Sequence, residues 1–198
     1  MREFSALLLE IQDHLSNIQT LWCLIGGLAV GARTEPRFTK DLDLAVATVD
    51  DRASEELVFS LQARGYRVIT ILEQRASGRL ATARLSPPGA TEPVLIDLLF
   101  ASSGIEPDIV ARAETITVFP KVCVPVACLG DLIAMKVLAR DDRERPQDRL
   151  DLKALLRCAL PEDRQMARFA LERIGALGYG RGRNLSEELS AAEAEFEP

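Results

Sequence analysis

The 198 residues, 47% apolar and 27% charged, suffice for one sizeable core and a small helical appendage. No apolar stretch of about 18 residues could cross a bilayer and no charged-then-apolar leader ends in a cleavage site, so no membrane partner and a cytoplasmic location are expected. A net charge of −6 excludes a protein that coats nucleic acid by bulk electrostatics, and a single histidine, His14, leaves little for histidine-based triads or His-rich metal sites.

From Arg2 to about Gln19, Phe4, Leu7, Leu8, Ile11, Leu15 and Ile18 recur at spacings of three and four, which predicts a helix with one buried stripe packed on a sheet. The apolar run Leu21 to Ile25 has strand length and stops at Gly26-Gly27, after which Leu28-Ala-Val30 starts a helix. Glu35-Pro36 breaks that helix before a strand at Asp41-Leu-Asp43-Leu44. Asp50-Asp51 caps a helix running to about Arg64, Gly65 ends it, and Tyr66 to Ile71 reads as a strand. Arg79 to Leu85 and Pro93 to Leu99 flank the turn-rich Ser86-Pro-Pro-Gly89 and predict an antiparallel hairpin carrying Asp97.

A helix near Pro107 to Ala113 and strands at Thr115–Phe119 and Val122–Val126 follow, and then the pattern becomes helical: Cys128 to Arg140, Arg145 to Leu160 and Glu162 to Ile174. The expected architecture is α+β, a mixed sheet flanked by helices and followed by a small C-terminal helical subdomain. Its parts are a core over 1–127, helices over 128–183 and an acidic tail over 184–198 that frays or docks as a short helix from Asn184. Cys23, Cys123, Cys128 and Cys158 form no Cys-x-x-Cys pair and sit in apolar neighbourhoods, as free buried thiols do. Charge is uneven: residues 130–183 carry +3, with Arg140, Arg143, Arg145, Arg149, Arg157, Arg164 and Arg168, while the last fifteen carry five glutamates and no base. The arginine block is either a solvated helix face or a surface for phosphates.

The chemistry concentrates at Asp41 and Asp43. A side-chain period of two puts both acids on one strand face and Leu42 and Leu44 on the other. Clustered carboxylates at a strand end supply the oxygen ligands that Mg²⁺ prefers. The Gly26-Gly27 turn lets backbone approach a phosphate, and the first N–H groups of the following helix present positive potential to it. Alone, an Asp-x-Asp is more often a solvated strand end; beside a strand, glycine turn and helix, it completes a phosphate and metal site.

With these residues assembled, the chain resembles the nucleotidyltransferase superfamily that includes polymerase β, and within it the AbiEii-type nucleotidyltransferase toxins. The resemblance rests on Gly26-Gly27, on Arg37-Phe-Thr39-Lys-Asp41-Leu-Asp43-Leu44, on Asp131-Leu-Ile-Ala-Met-Lys136 and on Arg145-Pro-Gln-Asp148-Arg-Leu-Asp151. It implies a nucleotidyltransferase-like fold and transfer of an NMP from an NTP to an acceptor, with pyrophosphate leaving. Asp41, Asp43 and Asp97 would be the ligands of Mg²⁺ or Mn²⁺, and Asp97 could also accept the acceptor's proton. Gly26 and Gly27 would admit the β- and γ-phosphates, and Lys136 would neutralise triphosphate charge. Asp151 would orient Lys136 or the acceptor, while Arg37 and Thr39, on the strand-face parity of Asp41, either contact substrate or shape the loop. Lys136 as a solvated helix lysine, and Asp148 and Asp151 as exposed acids pairing with Arg145 or Lys153, are the plainer alternatives. The partners implied are an NTP, an RNA acceptor such as tRNA contacted by the arginine-rich helices, and a separate antitoxin protein. The alternatives are the same transfer to a small molecule or protein, and a non-catalytic nucleotide-binding or interaction module.

Overall fold

The computed structural model describes residues 2–89, 94–141 and 144–196. Pro93, Arg143 and the last two residues of the acidic tail, all named above, lie outside them. In chain order the elements are α1 (Arg2–Asn17), β1 (Leu21–Ile25), α2 (Gly26–Arg33), β2 (Asp41–Ala47), α3 (Asp51–Gln62), β3 (Arg67–Glu73), β4 (Leu80–Ser86), β5 (Leu95–Leu99), α4 (Glu106–Ala111), β6 (Glu114–Phe119), β7 (Val122–Val126), α5 (Leu129–Ala139), α6 (Pro146–Cys158), α7 (Pro161–Ala176) and α8 (Leu185–Phe196).

The strands form one mixed seven-stranded sheet in the order β3-β4-β5-β2-β1-β7-β6. β1 pairs antiparallel with β2, and β2 runs parallel to β5, which pairs antiparallel with β4 as the expected hairpin. The acid strand is therefore central, flanked by β1 and β5. Its alternation is expressed as expected: Leu42 and Leu44 are fully buried, while Asp41 and Asp43 open toward the other face. On α1, Leu7, Leu8, Ile11 and Leu15 bury the predicted stripe, and the helix packs against β1 and β7. Asp50 caps α3 by accepting from the Ala53 backbone N–H at 2.8 Å.

The C-terminal helices build around α5, whose main partner is α7, with α6 and α8 beside them. The tail docks: Leu185, Leu189, Ala192 and Phe196 of α8 are buried in the same continuous apolar core as the sheet. All four cysteines are free, but Cys123 and Cys158 are exposed rather than buried, Cys123 because it points outward on β7 and Cys158 because it ends α6. Among the described residues, no helix is long and apolar enough to cross a membrane.

Candidate active site

One row across the sheet holds the chemistry. Arg84 on β4 lies opposite Asp97 on β5, Asp97 opposite Asp43 on β2, and Asp43 opposite Ile25, the last residue of β1 before the Gly26 turn. Two like charges in register on neighbouring strands repel. Arg84 offsets this by donating a fork of two hydrogen bonds, Nε to Asp97 Oδ1 at 2.7 Å and Nη2 to Asp97 Oδ2 at 2.6 Å. Asp41, two residues back on the face of Asp43, completes the acidic group, and all four side chains line a cleft of about 540 Å³.

Burial first, then the charge of Asp97 and that of Asp41, raise the Asp43 carboxyl to about 6, against the opposing pull of Lys136 and a hydrogen bond from the Gly27 backbone. The glycine turn is built for this acid. Gly26 sits at φ +65°, and a Cβ there would fall 1.9 Å from Asp43 Oδ2. Only glycine lets the carboxylate reach the first amides of α2. Gly26 lines the cleft, whereas Gly27 faces the Arg37 guanidinium, 2.4 Å from where its own Cβ would be.

Lys136 is not a solvated helix lysine. It is 8% exposed, and Nζ meets Asp148 Oδ1 at 2.6 Å and Asp151 Oδ2 at 2.8 Å. Asp148 and Asp151 are likewise buried, not exposed, because their i, i+3 spacing on α6 aims both at α5. Burial pushes Asp151 up, but the Lys136 charge and hydrogen bonds from Lys136, Gln147 and Arg37 bring its carboxyl below the ordinary range. Arg37 reaches Asp151 Oδ2 at 2.7 Å and the Phe38 carbonyl at 2.9 Å, and so ties the loop before β2 to α6. Thr39 Oγ1 donates to the Asp41 carbonyl at 3.2 Å. The structure thus gathers Asp41, Asp43, Asp97, Lys136 and Gly26 around the cleft, whereas Arg37, Thr39, Asp151 and Gly27 are not among its lining residues. Asp131 is a separate fixture, fully buried and held by the Arg112 fork at 2.8 and 3.2 Å.

Three arginines line the cleft, Arg84, Arg145 and Arg181, of which the sequence had pointed only to Arg145. Arg84 was detectable in principle, since in the predicted hairpin Thr82 and Arg84 alternate with Ala83 and Leu85 on the face that carries Asp97. Arg181 had no such signal, because it lies in an irregular glycine-rich loop. The arginine-rich helices are occupied differently from the phosphate surface expected of them: Arg140 and Arg149 pair with Glu195, and Arg164 and Arg168 with Glu193, all on α8. Burial, then the Asp131 charge, raises the thiols of Cys23 and Cys128 to about 12, which disfavours their thiolates.

The oxygen-only donor set of Asp41, Asp43 and Asp97 fits a hard divalent cation. Among the described residues, however, no three His, Cys, Asp or Glu side chains converge closely enough to hold a metal ion. Asp41, Asp43 and Asp97 share a face and a cleft, with Arg84 on both oxygens of the third.

The sequence profile described as nucleotidyl transferase AbiEii toxin, Type IV TA system, matches residues 11–198. No curated protein sequence matches significantly. Among solved structures, the chain is similar to an antigenic nucleotidyltransferase-like protein from Paracoccidioides brasiliensis, with a TM-score of 0.54 and 19% identity over 96% of this chain and 94% of that one. It is also similar to the antibiotic-resistance factor ANT(2'')-Ia, with a TM-score of 0.51 and 17% identity over 98% and 91%. The lincosamide antibiotic adenylyltransferase LnuA gives a TM-score of 0.50 and 15% identity over 77% and 96%. At these identities the likeness is one of fold.

Proposed function

Because the chain belongs to the nucleotidyl transferase AbiEii toxin family, we propose that it moves an NMP from an NTP to an RNA acceptor such as tRNA, using Mg²⁺ or Mn²⁺ and releasing pyrophosphate. In this reading it is the toxin of a pair whose antitoxin is a separate protein. The observation that carries the chemistry is the row Arg84, Asp97, Asp43, Ile25, which sets two in-register acids beside the N-terminus of α2.

Asp41 and Asp43 would hold the cation, and Asp97 would add its carboxylate only if released from Arg84. When bound, the cation neutralises charge on the triphosphate oxygens and favours the attacking and leaving oxygens of an in-line displacement. The α2 amides at Gly26 and Gly27 bind phosphate once the Asp43 carboxylate has turned from them. Lys136 spends two of its three donors on Asp148 and Asp151, which leaves one for a phosphate oxygen and fixes where it points. Asp97, freed from the Arg84 fork, takes the proton of the attacking hydroxyl.

One observation favours a small-molecule acceptor as a second reading: four arginines of the C-terminal helices are already paired with Glu193 and Glu195. An NTP labelled at the α-phosphate, incubated with the protein, Mg²⁺ and either total RNA or a small-molecule extract, separates the two. Label is expected on RNA; label only on a small molecule overturns the RNA acceptor and leaves the transfer chemistry standing.

A further inference from the structure

A second cavity, of about 580 Å³, adjoins the catalytic cleft and shares with it Leu72, Thr82, Ser102 and Arg181. Arg181 is the one cationic side chain among the described residues that lines both. The other cations of the cleft are engaged: Arg84 by Asp97, Lys136 by Asp148 and Asp151, and Arg145 by Asp148 at 2.8 Å. Among the described residues, Arg181 pairs with no carboxylate. Although the residue is exposed overall, partial desolvation and then the like charges of Arg183 and Arg145 disfavour its protonated form. An anion placed there would relieve that repulsion.

The loop that carries it is fixed. Arg181 holds φ +57°, between Gly178 at +82° and Gly182 at +71°, and a non-glycine residue in that region is uncommon. Tyr179 is buried against Gly104, where a Cβ would meet its ring at 2.9 Å, and its hydroxyl lies 3.0 Å from Ser77 Oγ. On the other side, Arg183 donates to the Val137 and Leu138 carbonyls at 2.9 Å and pairs with Glu188. A strained backbone held between two anchored neighbours presents one unpaired guanidinium at the mouth between two cavities.

We infer that Arg181 binds a backbone phosphate of the acceptor RNA strand, which reaches the carboxylates through the second cavity. In the reading above the NTP phosphates lie by Gly26 and Lys136, which line the cleft but not the second cavity, so the second cavity is left to the acceptor. The second cavity offers Arg75 and polar Gln74 and Ser102 along this path, with Glu73 as its acid. This inference rests on the RNA reading of the acceptor.

The test is binding of a short labelled single-stranded RNA to the full chain without nucleotide, comparing wild type with Arg181→Asn, which tolerates the left-handed backbone, and with Arg181→Lys. Losing one charged phosphate contact should weaken RNA binding about tenfold and make its salt dependence shallower by about 0.7 in log–log slope. Lysine should restore most of the affinity, and NTP binding should change less than about twofold, well below the tenfold that one charged contact carries. Equal thermal unfolding of the variants shows that the fold is kept. Unchanged RNA affinity, or a loss that falls on the NTP instead, overturns the inference while transfer to RNA can still stand; wild-type protein that labels no RNA overturns the acceptor reading itself.

Discussion

Asp43 carries the largest electrostatic cost in the cleft and therefore the clearest pH signature. Its carboxyl lies at about 6 in the fold against an ordinary 3.8. Below the lower value both states are protonated and nothing is lost. Between 3.8 and about 6 the unfolded acid ionises while the folded one, buried beside Asp97 and Asp41, stays protonated, so stability falls across that window and stays lower above it. Asp43→Asn should unfold at a higher temperature than wild type at about pH 8, by on the order of 1–3 kcal/mol, and show little difference at about pH 4. Paired melting curves at the two values check this, and a variant that is less stable at high pH contradicts it. Arg84 is the counterpart: Arg84→Met leaves Asp97 facing Asp43 without its cation. It should lower stability in the absence of divalent ions by about 1–2 kcal/mol, the Arg84 side chain being partly exposed, and Mn²⁺ should recover more of the melting temperature than it adds to wild type.

The β1-α2-β2 unit and the β4-β5 hairpin were legible because their signals are local. Alternation in Asp41 to Leu44, the Gly26-Gly27 stop and the Ser86 to Gly89 turn each fix geometry within a few residues, and together they bring Asp97 to Asp43. The link between α5 and α6 was harder to read. Asp148 and Asp151 share a helix face by spacing, yet nothing local says that this face is buried on Lys136. That burial sets a testable cost. Lys136→Met removes the cation that two buried carboxylates share, leaving Asp148 with Arg145 and Asp151 with Arg37. It should cost about 3 kcal/mol, the low end for breaking a buried pair, whereas combining it with Asp148→Asn and Asp151→Asn should recover part of the loss. Denaturant unfolding of the single and triple variants measures both, and equal destabilisation would mean that the network is not what α5 and α6 share.

Across the whole molecule, α8 changes the reading of charge. The +3 of residues 130–183 looks like a surface for phosphates until Glu193 and Glu195 are seen clasping four of its arginines over separations of 25 to 55 residues. Composition reports the charges but not which of them meet. Glu193→Gln with Glu195→Gln should leave stability within about 1 kcal/mol per exposed pair while tightening RNA binding at low salt and steepening its salt dependence; unchanged binding would show that those arginines face no nucleic acid even when free. The acid row and Arg181 line one cleft, which α5 borders through Leu132, Met135 and Lys136. The most direct test of the row is transfer of label from the α-phosphate of an NTP, with matching pyrophosphate release, by wild type and by Asp43→Asn. A loss of at least about 10²–10³-fold is expected in a variant that is folded and more stable at neutral pH; equal rates would contradict a catalytic role for the row.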